Sequence, residues 1–108
     1  MDLYQNLTNN FFFFIGTNVI ESEDHVLMIA SKLKDIFDKF NKPFIFKVSF
    51  DKANRSSLES YRGVDIMTAL PIFVKLRQMG LYILTDIHEP AQADIIKDYV
   101  DIIQIPAF

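Results

Sequence analysis

At 108 residues, the chain is long enough for one domain with a real core and too short for two. Half of it is apolar and 23% charged, as in soluble globular proteins, and a net charge of −3 excludes a global basic field for nucleic acid or an anionic membrane. With no cysteine, neither a disulfide framework nor a thiolate metal site can form, a composition that fits a reducing cytoplasm.

Met1 to Asn10, polar and rich in asparagine, reads as a loose N-terminus without the cations of a secretory leader. Phe11 to Val19 reads as a first strand, broken by Gly16. Its apolar run Phe11 to Ile15 is far shorter than the roughly 20 residues of a membrane helix. Consecutive phenylalanines there suit a strand covered on both faces, as in parallel sheets. From Glu21 the period changes: Val26, Ile29, Ala30, Leu33, Ile36, Phe37 and Phe40 recur at helical spacing. Ser22 followed by His25 offers a weak cap, and His25 reads as a solvated helix residue. Asn41, Lys42 and Pro43 end the helix.

Phe44 to Phe50 forms the second strand, with Phe44, Phe46, Val48 and Phe50 on one face and Ile45, Lys47 and Ser49 on the other. A lysine in mid-strand either snorkels to solvent or needs a partner, since burial without one costs several kcal/mol. The polar loop Asp51 to Ser57 follows. It reads either as a solvated turn with a helix cap at Ser56 or Ser57, or as a holder for a phosphorylated or carboxylated small molecule. In the second case Arg55 offers a planar fork of donors, Lys52 a mobile point charge and Ser56 a hydroxyl.

A second helix is predicted near Asp65 to Met79, with Ile66, Leu70, Phe73, Val74 and Leu76 as its buried stripe. Pro71 either starts a new helix or kinks this one. Gly80 stops it. Leu81 to Ile87 is the third strand, and Asp86 and His88 share a face. In Thr85-Asp86-Ile87-His88-Glu89-Pro90 the acidic and imidazole groups serve as a metal or acid–base site, or simply as a hydrogen-bonded turn into a helix from Pro90 to about Tyr99. The fourth strand, Asp101 to Ile105, places the polar Gln104 between Ile103 and Ile105.

Strand–helix alternation repeated three times, then a fourth strand, means parallel strands with right-handed crossovers. An open doubly wound sheet and a (β/α)8 TIM barrel both use it. No strand is followed by a Gly-rich nucleotide fingerprint. Asn18, Lys52 to Ser57, Asp86 with His88, and Gln104 all fall at strand C-terminal ends, where barrels gather functional groups. The predicted fold is therefore the N-terminal half of a (β/α)8 barrel, a single partial domain over residues 1–108, against about 250 residues for a full barrel.

Four segments, in this order, carry a family resemblance. Lys47 to Ser57, KVSFDKANRSS, resembles the KASFDKANRSS signature of 3-deoxy-manno-octulosonate 8-phosphate synthases. Gly16 to Ser22, GTNVIES, is similar to that family's GMNVLES; LTDIHEPAQA to its ITDVHEPSQA; and VDIIQIPAF to its VDVIQLPAF. The family condenses phosphoenolpyruvate with arabinose 5-phosphate for the lipopolysaccharide sugar Kdo, in the cytoplasm, as a homo-oligomer, tetrameric in complete members. The resemblance implies that Lys47 and Lys52 bind the phosphoenolpyruvate carboxylate, and that Gln104 and the Ala107 backbone place its phosphate side. It implies that Asn54, Arg55 and Ser56 hold arabinose 5-phosphate, with Arg55 and Ser56 reaching across a subunit interface, and that Asp86 contacts sugar hydroxyls. Asn18 stands where metal-dependent members carry cysteine, which implies the metal-independent type with no cofactor. Lys52 and Asn18 are the residues assigned to the catalytic centre.

The match is to the N-terminal part of the synthase. The family's phosphate clamp, a lysine and an arginine, lies beyond the fourth strand, so the 108 residues alone are expected not to turn over. Two other readings stay open at this point. One is a non-catalytic half-barrel that grips a sugar phosphate or carboxylate. The other is a flavodoxin-like interaction domain, which requires strand order 2-1-3-4.

Overall fold

The structure is a computed structural model that describes residues 2–51 and 63–107. Its elements run α1 (Leu3–Asn9), β1 (Phe13–Ile15), α2 (Glu23–Lys39), β2 (Phe44–Lys47), α3 (Ile66–Gln78), β3 (Tyr82–Asp86), α4 (Pro90–Ile96) and β4 (Ile102–Gln104). The four strands form one parallel sheet in the order β1-β2-β3-β4. Chain neighbours are thus sheet neighbours, each joined by a helical crossover, as in half of a (β/α) barrel. The order excludes the 2-1-3-4 arrangement of a flavodoxin-like sheet.

Strand phase sorts the residues as the alternation requires. Phe44, Phe46, Val48 and Phe50 enter the helix-side core with Val26 and Ala30 of α2, Phe73 and Leu76 of α3 and Ile96 of α4. Ile45 and Leu84 are buried but lie outside that cluster, on the face that also carries Lys47 and Asp86. Burying Phe46 or Phe73 completely contributes about 3 kcal/mol each. Between α2 and α3, Lys75 Nζ meets the Glu23 carboxylate at 2.9 Å.

Several expectations are corrected. The stretch read as a loose N-terminus holds a helix, α1, closed by a capping box. Asp2 accepts from the Gln5 amide at 2.8 Å, and the Gln5 side chain accepts from the Asp2 amide at 3.3 Å. Composition hid this pairing, and α1 buries none of its residues.

The strand β1 is not covered on both faces. It is an edge strand, with Phe13, Phe14 and Ile15 exposed by 40%, 51% and 37%. The Phe13 ring lies 5.1 Å from Phe11 and 5.3 Å from Phe37, which in turn stacks on Phe44 at 4.6 Å. In α3, Val74 is exposed and Ile66 only half-buried. The buried stripe instead uses Ala69, Leu70, Ile72, Phe73 and Leu76, with Val74 just past its edge. The helix runs unbroken through Pro71, which sits with Met67 on its exposed side, where water can serve the carbonyl that proline leaves unbonded. The cap read as weak at Ser22 forms, with His25 N donating to Ser22 Oγ at 3.1 Å.

Candidate functional site at the strand C-terminal ends

The site begins with a close approach. Beyond β1 the chain passes so near β2 that a Cβ on Gly16 would lie 2.0 Å from the Lys47 carbonyl oxygen. Only glycine fits there. The approach leaves an open cleft of about 340 Å³ lined by Phe14, Ile15, Gly16, Thr17, Asn18 and Lys47. Asn18 is exposed and Lys47 half-buried, and both residues line this one space.

The other side of the mouth is built on β3. Lys47 pairs in register with Leu84, and Asp86 two residues further on pairs with Gln104. Register and alternation therefore put Lys47, Asp86 and Gln104 on one face of three adjacent strands. Among the described residues, the side chains of Asn18, Lys47 and Gln104 make no hydrogen bond or ion pair. Asp86 is buried, and its Oδ1 has no hydrogen-bond partner among the described residues. A buried carboxylate oxygen without a donor is costly, and a ligand hydroxyl would satisfy it. The Ala107 residue is exposed beyond β4.

Asp51 and Gly63 bracket the polar loop. They form an isolated antiparallel bridge, and Val64 N donates to the Phe50 carbonyl at 2.8 Å. Gly63 adopts φ +120°, and a Cβ there would lie 2.2 Å from the Phe50 oxygen. The chain thus leaves and re-enters the described body side by side. Lys52, Asn54, Arg55 and Ser56 lie outside the described residues.

His88 is the residue whose role the sequence left open, and its surroundings favour the hydrogen-bonded turn. Its Nε2 lies 2.8 Å from the Asp51 carbonyl oxygen and 3.6 Å from Asp86 Oδ2, while its amide donates to Gln92 Oε1 at 2.8 Å. Gln92 also accepts from the Glu89 amide at 3.2 Å, closing the entry to α4 ahead of Pro90. Sequence reasoning missed Gln92, although its three-residue spacing from Glu89 is that of a capping box. Gly16 was read only as a break in a strand. His25 is a half-exposed helix residue with Nδ1 3.9 Å from Glu21.

Fold and mouth together define a (β/α)-barrel-type protein with a candidate polar site at its strand C-termini. The profile of the DAHP synthetase I family matches residues 6–108, and the chain belongs to that family. The 2-dehydro-3-deoxyphosphooctonate aldolases of Escherichia coli and of Shigella boydii serotype 18 are each 46% identical to it over 106 residues, covering 95% of this chain and 37% of the relative. These findings bear out the resemblance carried by the four motifs. The chain spans little more than a third of the length of the curated relatives it matches. Among the described residues, no helix is long and apolar enough to cross a membrane.

Proposed function

We propose that this chain forms the N-terminal side of a cytoplasmic site that condenses phosphoenolpyruvate with arabinose 5-phosphate, as in the aldolases it matches. One observation carries the reading. Lys47, Asp86 and Gln104 share one face of the mouth, Asn18 lines the same cleft as Lys47, and among the described residues the side chains of Asn18, Lys47 and Gln104 and the Asp86 Oδ1 atom have no hydrogen-bond partner.

The chemistry asks for such a set. The enol carbon of phosphoenolpyruvate forms a bond to the sugar aldehyde carbon, whose oxygen takes a proton. A water oxygen adds to the neighbouring carbon and the C–O bond to phosphate breaks; the water's two protons go to the new alcohol oxygen and to the departing phosphate, leaving a ketone. Both substrates are anions, so cationic side chains must hold them together against their mutual repulsion. Lys47, joined by Lys52, binds the phosphoenolpyruvate carboxylate. Gln104 and the Ala107 backbone lie toward its phosphate, and Asp86 accepts from sugar hydroxyls. Asn54, Arg55 and Ser56 take the sugar phosphate, the last two from a neighbouring subunit of a homo-oligomer. Asn18, an amide and a poor ligand for a borderline divalent cation, suits metal-independent chemistry.

Titration followed by amide NMR tests the reading. Phosphoenolpyruvate should shift Asn18, Lys47 and Gln104, and arabinose 5-phosphate should shift Asp86. Saturable shifts without phosphate release are the expected result for these 108 residues, given the 37% coverage of the relatives. Turnover that co-purifies with the 108-residue species and is abolished by Lys52→Ala would overturn the inactivity. Absence of shifts at all four residues would overturn the binding reading.

A further inference from the structure

We propose that His88 is a positioning residue of this mouth: its Nε2–H holds the Asp51 carbonyl where the chain leaves β2, and keeps the Asp86 carboxylate on the inward face. This rests on the proposed function only for its consequence on ligand binding. The geometry stands by itself.

Three observations meet at His88. The Nε2 atom lies 2.8 Å from the Asp51 carbonyl oxygen, and a carbonyl can only accept, so Nε2 carries the proton. The same nitrogen is 3.6 Å from Asp86 Oδ2, with both side chains more than nine-tenths buried. A polar nitrogen this close to a buried carboxylate favours one orientation of that carboxylate, the one in which Oδ1 has no hydrogen-bond partner among the described residues. Finally, the backbone of His88 is itself fixed. Its amide donates to Gln92 Oε1 at 2.8 Å, and its ring meets the Phe50 ring edge-on at 6.1 Å.

The placement has a mechanical consequence. Asp51 is the last described residue before residues 52–62, and Gly63, its bridge partner, is the first after them. His88 ties that base to the end of β3 across the sheet. A side chain that only filled space would need none of these polar contacts. Phenylalanine would then serve equally well beside Phe50.

Two variants separate positioning from packing. His88→Phe keeps a ring against Phe50 and removes the donor. His88→Gln restores an N–H near the Nε2 position. In the wild-type chain, imidazole nitrogen NMR should show a single Nε2–H tautomer with a slowly exchanging proton. An Nδ1–H tautomer or a rapidly exchanging mixture would overturn the proposal, even if both variants failed to fold. His88→Phe should shift the Asp51 and Gly63 amides and the Asp86 carboxyl carbon, and His88→Gln should return the Asp51 and Gly63 amides toward wild type. Unmoved signals in His88→Phe would refute positioning. With arabinose 5-phosphate as probe, His88→Phe should bind about three- to tenfold more weakly, the worth of one hydrogen bond, with His88→Gln intermediate. Wild-type chain that binds no arabinose 5-phosphate would count against the proposed function, while the tautomer and shift measurements would still decide the role of His88.

Discussion

The two sides of the mouth are built by different means. On the β1–β2 side, backbone meets backbone at Gly16, and Asn18 and Lys47 line an open cleft without side-chain partners among the described residues. On the β3 side, the Asp86 and His88 side chains are buried; hydrogen bonds to Asp51 and Gln92 fix His88, whose Nε2 stands 3.6 Å from the Asp86 carboxylate. An open cation can follow its ligand, at the cost of ordering a long side chain when the ligand binds. A buried carboxylate held from behind is ordered beforehand. The comparison teaches that one mouth can combine an adaptable charge with a fixed acceptor, each supplied by a different kind of contact.

The largest test strikes the backbone approach. Gly16→Val should force β1 away from β2, because its Cβ would stand 2.0 Å from the Lys47 carbonyl oxygen and a backbone atom cannot swing aside. Overpacking of this severity costs about 3 kcal/mol, or a fall in Tm of about 10–20 °C for a domain of this size. A calorimetric Tm within a few degrees of wild type would show that the approach is soft, and the contrast between the two sides would collapse.

Lys47→Ala comes next. The charge should matter for ligand and hardly for folding, since Lys47 is half-buried and makes no ion pair among the described residues. Phosphoenolpyruvate affinity should fall about ten- to a hundredfold, with the urea midpoint nearly unchanged. A large loss of stability instead would mean that the lysine is part of the scaffold, like His88, and not the adaptable side.

The smallest effect concerns pH and lies away from the mouth, as a control. Thr68 donates from its backbone, and also from its hydroxyl, to the Asp65 carboxylate, holding that carboxyl below its ordinary value of 3.8. A depressed folded-state value means that the cap stabilises α3 above the unfolded value and is lost as pH falls through the folded one. The stability gap between wild type and Asp65→Ala should therefore be present at neutral pH and shrink well below 3.8. A gap independent of pH in urea melts would refute the charged cap. Ligand shifts at the mouth should be the same in both proteins.

Much of this was legible in the sequence. Alternation along Phe44 to Phe50 put Lys47 opposite Phe46 and Val48, and the sheet keeps that division because a pleated strand leaves no other. Likewise, Asp86 and Gln104 fall at strand C-termini on register alone. The errors have physical causes as well. Asp2 and Gln5 cap α1 through a three-residue pairing that an average over polar composition cannot register. Val74 looked like part of an apolar stripe, but whether a position at the stripe's edge is covered depends on the neighbouring elements. Lys52, Asn54, Arg55 and Ser56 stay as the motif resemblance assigns them, outside the described residues.

By itself the sequence determined the period of α2, α3 and the strands, the two faces of β2 and the membership carried by four ordered motifs, because these depend on residues a few positions apart. Only the tertiary structure decided that β1 is an exposed edge and that Gly16 touches the backbone of Lys47. It also decided that His88 reaches Asp51 across 37 residues of chain. Such contacts arise when strands are laid side by side, and no local window of sequence contains both partners.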